Sequence, residues 1–285
     1  MKFSKMQATG NDFIIIDARK MRRNWPELAK DMCHRHFGVG ADGLITVNMQ
    51  SDSLSMRIFN TDGSEAEVCG NGLRCFAKYV SDYKLNDSVE LDIETNSGLK
   101  KAYLFKTRGS VTSVKVDMGM PRFGITEIPL NPVQFTADAA STGSKAMIQK
   151  ILSIEGRKLD LNFISMGNPH AVAFIKDDIE ELPLNTIGPI IERHIWFPNR
   201  TNFEIAHIEA KDRIRARVWE RGVGETLACG SGACAIAVAA VKKGYANEKV
   251  DIIMPGGILT IIWNKKESVF LRGGVEEVFT GTWLK

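Results

Sequence analysis

Two cysteines are each followed by a Gly-x-Gly turn and then by an apolar run that predicts a helix. Residues 69–72 read CGNG and residues 229–232 read CGSG. The amides of a first helical turn have no partner within the helix, and glycine lets a bound group approach them closely. Each motif therefore predicts a carboxylate-binding loop beside a thiol, and the helix N-terminus predicts a thiol pKa below its usual value of about 8.5.

The two motifs belong to a longer internal repeat. Residues 65–72 (EAEVCGNG) align without gaps to residues 225–232 (ETLACGSG). Each copy follows an alternating strand pattern, at 55–59 and 214–219, and precedes an apolar helix pattern. A shorter echo pairs Gly10-Asn11 with Gly167-Asn168. The repeat predicts two related halves, each with one thiol loop.

Inversion of a carbon centre is the chemistry that such a pair of thiols could perform. One group must remove the Cα proton while another delivers a proton to the opposite face, which a single rigid base cannot do. Cys69 and Cys229 would exchange the roles of thiolate and thiol with reaction direction. A helix terminus contributes only about 0.3–2 kcal/mol, whereas positioning in a closed site contributes about 7–11 kcal/mol. Closure of the two halves around the substrate is therefore predicted to be essential.

The elements that must position these loops are mainly strands. Strand patterns occur at 13–17, 44–47, 55–59, 89–95, 99–105, 111–117, 171–175, 214–219, 252–254, 258–263 and 269–272. Helix patterns occur at 25–35, 73–80, 142–154 and 232–243. The last helix pattern is apolar on nearly all sides, which predicts a buried core helix ending at Gly244. We therefore predict an α/β fold of the α+β type with domains at 1–118 and 119–285, divided at the Gly/Pro break near Gly119.

Composition is that of an ordinary globular protein of two domains. The chain has 285 residues and a formal net charge of +3, and its lysines and arginines are scattered, which argues against a nucleic-acid partner. No apolar stretch approaches about 18 residues and the N-terminus lacks a signal-peptide pattern, so we expect no membrane segment and a cytoplasmic location. The odd number of cysteines, five, fits a reducing compartment.

A zinc site is the main alternative for these cysteines. Cys229 and Cys234 have a permitted spacing, and residues 33–36 (CHRH) are rich in ligands. Cys234 and Cys75 both fall inside apolar helix patterns, however, and are interpreted as structural. Residues 38–43 (GVGADG) match a dinucleotide fingerprint in letters, but they precede a strand instead of following one. Because no lysine stands in a pyridoxal-like context either, no metal and no cofactor is predicted.

The chain resembles the diaminopimelate epimerases, pyridoxal-independent enzymes of lysine and peptidoglycan synthesis. The resemblance spans nearly the whole chain and rests on five motifs: 8–13 (ATGNDF), 59–64 (FNTDGS), 69–75 (CGNGLRC), 166–170 (MGNPH) and 220–232 (ERGVGETLACGSG). It implies an isomerase that interconverts LL- and meso-diaminopimelate with Cys69 and Cys229 as paired acid and base. It also implies a homodimer and a duplicated fold. In that fold each half is a mixed, mostly antiparallel sheet wrapped around a central helix, and a strand near 265–280 crosses back to the first half.

The resemblance also assigns single residues to the site. His170 and Glu220 resemble residues that tune the thiols. Substrate contacts are implied for Asn11, Asn60, Gly70, Asn71, Asn168, Asn202, Glu220, Arg221, Gly230 and Ser231. The amides after each cysteine suit the reacting carboxylate and the planar fork of Arg221 suits a distal one, so the expected partner is a small diamino-diacid.

Two alternatives in function stay open at this point. One is another amino-acid racemase of the same fold, such as a proline-racemase-like enzyme, and the other is a cysteine-based zinc or redox protein. The sequence also departs from the family pattern at Gly43, where many relatives carry a glutamine. No substrate contact is therefore assigned to that position.

Overall fold

A computed structural model of the protein describes residues 1–50, 53–66, 69–135 and 146–284. The chain divides into two compact units. Unit 1 comprises Met1–Asp117 and Arg272–Lys285, and unit 2 comprises Met118–Leu271. Each unit therefore holds one of the two cysteine motifs, although Glu67 and Val68 of the first copy lie outside the described residues.

Unit 1 is a mixed sheet around one buried helix. Its elements are β1 (Lys2–Ala8), β2 (Asn11–Asp17), α1 (Trp25–Cys33), β3 (Gly43–Gln50), β4 (Ser53–Asn60), β5 (Glu65–Ala66), α2 (Gly70–Asp82), β6 (Glu90–Thr95), β7 (Gly98–Thr107) and β8 (Ser110–Asp117). The pairs β2/β3 and β4/β6 are parallel, while β1/β2, β3/β4, β6/β7 and β7/β8 are antiparallel. α2 packs against β1, β2, β7 and β8 and is buried along 70–81, so it forms the centre of the unit.

Unit 2 repeats this arrangement. Its elements are β9 (Ile148–Ile154), β10 (Arg157–Ser165), β11 (Pro169–Phe174), α3 (Leu184–Glu192), β12 (Asn202–Ala210), β13 (Arg213–Glu220), β14 (Gly224–Thr226), α4 (Gly230–Lys243), β15 (Lys249–Met254) and β16 (Gly257–Ile262). The parallel pairs are now β11/β12 and β13/β15. α4 packs against β10, β11, β12, β15 and β16 and has the same central place as α2.

The end of the chain belongs to unit 1. It re-enters that unit through β17 (Phe270–Gly274), which pairs with β8. The last strand, β18 (Glu276–Thr282), pairs antiparallel with β1, with Lys2 opposite Thr282. The predicted mixed α/β class is confirmed. Within the described residues no helix is long and apolar enough to span a bilayer.

Three of the four predicted helices are confirmed, and their ends follow local rules. α1 begins at Trp25 as predicted and ends at Cys33, two residues before the end of the pattern at 25–35. α2 and α4 cover the patterns at 73–80 and 232–243, and each begins at the glycine after its cysteine. α4 ends at Gly244, whose φ of +75° lies in the left-handed region that favours glycine. Lys242 and Lys243 in its last turn suit the negative end of the helix dipole.

The helix predicted at 142–154 is wrong where the structure describes it. Residues 142–145 lie outside the described residues, and Ile148–Ile154 is strand β9, antiparallel to β10. Burial alternates along the strand, and the spacing of Ile148 and Leu152 fits both a helix and a strand. A tight turn at Glu155 and Gly156, both with positive φ, decides for the hairpin.

Candidate active site

Cys69 stands at the N-cap of α2 beside two asparagines. Its Sγ lies 3.7 Å from Asn11 Oδ1, and Asn71 Nδ2 donates to the same oxygen at 3.2 Å. Asn11 Nδ2 in turn donates to Asp42 Oδ2 at 2.6 Å, which fixes the amide with its oxygen toward the thiol. Cys69, Asn11 and Asn71 are called the unit 1 thiol cluster below.

Arg74 orients this cluster from the interior. Its side chain is fully buried, and its Nη2 donates to Asn71 Oδ1 at 2.5 Å and to Thr9 Oγ1 at 3.0 Å. A guanidinium only donates hydrogen bonds, so Asn71 must turn its amide oxygen toward Arg74 and its NH2 group toward Asn11. The buried arginine therefore sets the polarity of the hydrogen bonds around Cys69.

Cys229 stands at the N-cap of α4 and is only 6% exposed. Its Sγ lies 3.5 Å from Ser231 Oγ and accepts a hydrogen bond from the Gly232 amide at 3.4 Å. The Glu220 carboxylate lies within hydrogen-bonding reach of the thiol and accepts a second bond from Thr226 Oγ1 at 2.5 Å. The first turn of the helix therefore points one amide at the sulfur, as the motif predicts.

His170 and Asn168 reach Cys229 through Ser231. His170 is fully buried, with Nε2 2.9 Å from Asn168 Oδ1 and Nδ1 2.6 Å from Glu204 Oε1. Asn168 Nδ2 donates to Ser231 Oγ at 3.3 Å. The unit 2 thiol cluster, as the term is used below, consists of Cys229, Ser231, Asn168, His170 and Glu220.

Burial and negative charge raise the pKa of Cys229 well above its ordinary value. Desolvation is the main cause, followed by the carboxylates of Glu220 and Glu204, which disfavour a thiolate beside them. The Ser231 hydroxyl and the Gly232 amide act in the opposite direction but are outweighed. The expectation that the helix N-terminus lowers this pKa is therefore wrong for Cys229, because a helix end contributes only about 0.3–2 kcal/mol.

Glu220→Gln is expected to lower the pKa of Cys229, because it removes the negative charge that raises this pKa more than Glu204 does. The rate of Cys229 alkylation by iodoacetamide, followed by mass spectrometry against pH, should then rise at lower pH than in the wild type. Glu209→Gln, on an exposed ion pair with Arg213 in the same unit, is the matched control. An unchanged or higher midpoint of the alkylation–pH curve in Glu220→Gln would show that the Glu220 carboxylate does not raise the pKa of Cys229.

Asn202 and Arg221 form a further group in unit 2. Asn202 Nδ2 donates to the Pro169 carbonyl at 2.9 Å, and its Oδ1 accepts the Arg221 backbone amide at 2.9 Å. The Arg221 guanidinium is exposed and donates from Nη1 to the Asn199 carbonyl at 3.2 Å. Asn202 thus holds the backbone from which Arg221 reaches toward solvent.

The remaining predicted positions lie at the ends of elements. Asn60 ends β4 and donates from Nδ2 to Ser64 Oγ at 2.9 Å, while Gly70 and Gly230 are the first residues of α2 and α4. A Cβ at Gly43 would lie 3.0 Å from the Phe59 carbonyl oxygen. A longer side chain at this position would require that neighbour to shift by a few tenths of an ångström.

Three further cysteines are buried and belong to neither cluster. Cys33, Cys75 and Cys234 are each at most 1% exposed. Burial raises the pKa of Cys33 and of Cys75 to about 12. Both side chains therefore stay thiols at neutral pH.

Known proteins resemble this chain over nearly its full length. The sequence profile of the family described as diaminopimelate epimerase matches residues 3–124 and 162–278. The diaminopimelate epimerase of Moorella thermoacetica is 44% identical over 285 residues, which cover 99% of this chain and 98% of that protein. That of Methanococcus maripaludis strain S2 is 41% identical, covering 99% of each. The chain belongs to the diaminopimelate epimerase family. Family membership makes it an isomerase with a small-molecule substrate.

Solved structures with much lower sequence identity share the fold. A probable proline racemase from Agrobacterium radiobacter covers 100% of this chain and 93% of its own length, with a TM-score of 0.68 and 13% identity. A phenazine biosynthesis protein of the PhzF family from Bacillus anthracis covers 100% and 99%, with a TM-score of 0.68 and 17% identity. This chain therefore shares its fold with these proteins.

Sequence reasoning missed three side chains that shape the clusters, namely Arg74, Thr226 and Glu204. Thr226 lies inside the aligned repeat and Arg74 lies inside a family motif, but neither motif indicates a role for these side chains. Glu204 had a different signal, because it is a charged residue within the buried run of β12. A buried carboxylate in an apolar strand predicts a specific partner, which here is His170.

Proposed function

We propose that this chain epimerises LL-diaminopimelate to the meso isomer without a cofactor, with Cys69 and Cys229 as the acid/base pair. Membership in the family supports the reaction. The observation that supports the pair is that each unit carries one cysteine at the N-cap of its buried central helix. Within the described residues, these two thiols are the cysteines that lie next to polar partners at a helix start.

The proposed site binds the reacting carboxylate through backbone amides. Gly70, Asn71, Gly230 and Ser231 supply amides of the first helical turns, which suit the negative charge that grows on this carboxylate as the Cα proton leaves. Arg221 binds the distal carboxylate with its planar fork. A diamino-diacid satisfies both groups, whereas a monocarboxylate leaves Arg221 unused.

The proton transfer follows from the protonation state of the thiols. Because its pKa is raised, Cys229 is a thiol at neutral pH and is suited to deliver a proton. Cys69 then acts as the thiolate base on the opposite face of Cα, and the roles reverse in the other direction. A thiolate is a weak base for a Cα–H, so precise positioning, worth about 7–11 kcal/mol, and oriented amides must supply most of the barrier reduction.

Proton exchange with solvent tests the reaction directly. The protein is incubated in deuterated water with LL-diaminopimelate, lysine or proline, without pyridoxal phosphate or added metal. We expect deuterium at one Cα of diaminopimelate, with formation of the meso isomer, and far slower exchange in the other two amino acids. Faster exchange in proline would instead favour a proline-racemase-like enzyme, and exchange in none of them would contradict the proposal.

A further inference from the structure

Glu204 is a buried carboxylate that serves one neighbour. It is fully buried on β12, and its Oε1 lies 2.6 Å from Nδ1 of the equally buried His170 on β11. Its other oxygen, Oε2, has no hydrogen-bond partner among the residues that the structure describes. A buried ionisable pair is often no more stabilising than well-packed apolar residues of the same size. Folding alone therefore does not explain why this pair is present.

Unit 1 shows the same fold without the pair. Phe13 faces Gly43 across β2 and β3 just as His170 faces Asn202 across β11 and β12. Two residues further along the second strand of each pair, unit 1 has Ile45 where unit 2 has Glu204. Apolar side chains therefore fill both positions in unit 1.

The glycines of the central helices support this equivalence. A Cβ on Gly72 of α2 would lie 3.2 Å from Ile45 Cδ1, and a Cβ on Gly232 of α4 would lie 2.8 Å from Glu204 Oε1. Ile45 and Glu204 thus pack against equivalent glycines of the two central helices. Each of these glycines lies three residues after the cysteine of its motif. The architecture accepts an isoleucine where unit 2 places a carboxylate.

A chain of hydrogen bonds leads from Glu204 to the sulfur of Cys229. His170 Nε2 faces Asn168 Oδ1, which can only accept, so the imidazole donates. Asn168 Nδ2 donates to Ser231 Oγ. Because the Ser231 oxygen accepts this bond, its own hydrogen is free to point at Cys229 Sγ, 3.5 Å away.

We propose that Glu204 is a positioning residue that, through His170 and Asn168, directs the Ser231 hydroxyl hydrogen onto Cys229. This inference rests on the proposed function, in which Cys229 loses and regains a proton in every turnover. The hydroxyl hydrogen bond stabilises the thiolate at the moment it forms, against the burial and the carboxylate charges that disfavour it. In the unit 1 thiol cluster, Arg74 orients Asn71 and Asp42 orients Asn11.

Glu204→Gln and Glu204→Ile separate the hydrogen bond from the charge. Both variants lack the carboxylate, but glutamine can still bond to His170 Nδ1, whereas isoleucine is the residue that unit 1 carries. We expect kcat/KM of Glu204→Ile to be at least about tenfold below that of Glu204→Gln, the effect of one hydrogen bond to a charged group. Alkylation of Cys229 by iodoacetamide at pH 8 should also be slower in Glu204→Ile. Equal values in the two variants would overturn the proposal.

The double variant His170→Phe with Glu204→Ile tests whether the pair is structural. It installs in unit 2 the pair that unit 1 carries, so we expect a thermal midpoint equal to or above that of the wild type. Its kcat/KM should fall at least as far as that of Glu204→Ile. Wild-type activity, or a loss of thermal stability large enough to account for the loss of activity, would contradict a positioning role.

The alkylation measurement also separates this inference from the proposed function. Labelling of Cys229 needs no diaminopimelate. A wild-type protein that fails to epimerise diaminopimelate would contradict the proposed function alone. A missing difference between Glu204→Gln and Glu204→Ile in Cys229 labelling would contradict the hydrogen-bond chain alone.

Discussion

Replacing either Cys69 or Cys229 by alanine is expected to lower epimerisation by about 10⁴-fold or more. Each variant leaves one face of Cα without a proton donor or acceptor, and inversion requires both faces. The measurement is the rate at which LL-diaminopimelate is converted to the meso isomer. Since the remaining thiol can still remove a proton from its own face, each single variant should retain slow solvent exchange at Cα with one isomer.

Cys75→Ala is the matched control for these two variants. Cys75 is a buried thiol of α2, so its loss should cost about 1 kcal/mol of stability and leave turnover nearly unchanged. Full epimerase activity in Cys69→Ala or Cys229→Ala would exclude the two-thiol mechanism. A large loss of epimerase activity in a fully folded Cys75→Ala variant would show that Cys75 also takes part in the reaction.

Arg221→Ala is expected to weaken the binding of diaminopimelate by about 100-fold or more. A bidentate guanidinium–carboxylate contact contains two charged hydrogen bonds of about 1.5–3 kcal/mol each, and alanine removes both. Free lysine has the same reacting end as diaminopimelate but no distal carboxylate. Arg221→Ala should therefore change the binding of free lysine little. Both affinities can be measured by competition in the exchange assay.

Arg221→Lys completes this test. A lysine side chain at position 221 keeps the positive charge but lacks the planar fork. The affinity of this variant for diaminopimelate should therefore lie between those of the wild type and Arg221→Ala. The backbone amide of residue 221 still donates to Asn202 in every variant, which preserves the loop. If Arg221→Ala lost as much affinity for free lysine as for diaminopimelate, Arg221 would lie outside the distal carboxylate site.

Local sequence rules predict much of the fold where one element carries its own signals. The starts of α2 and α4, and the end of α4 at Gly244, follow from glycine and lysine placement next to apolar runs. The rules fail at α3 (Leu184–Glu192), which contains Gly188 and Pro189 and was not predicted as a helix. Packing supplies the missing stability there, because Ile187 and Ile191 are fully buried in the core of unit 2.

The strand β9 shows the complementary limit. Its apolar spacing fits a helix and a strand, and the pairing with β10 that decides between them involves a second segment of the chain. β18 is a similar case, because its partner β1 lies at the opposite end of the sequence. Single-segment patterns hold no information about such distant partners.

The sequence by itself determined which groups could carry the chemistry. The repeated Cys-Gly-x-Gly motif places each thiol at a helix N-cap through contacts within a few residues. The N-cap position of each cysteine could therefore be predicted from the sequence. Only the tertiary structure decided what surrounds each thiol. Cys69 lies next to the side-chain amide of Asn11, and the buried Arg74 acts on this cluster through Asn71. The negative charges of Glu220 and Glu204, which come from neighbouring strands, act on Cys229. His170 is linked to that thiol through Asn168 and Ser231. A thiol pKa depends on burial and on charges a few ångströms away in space, and sequence separation does not encode either.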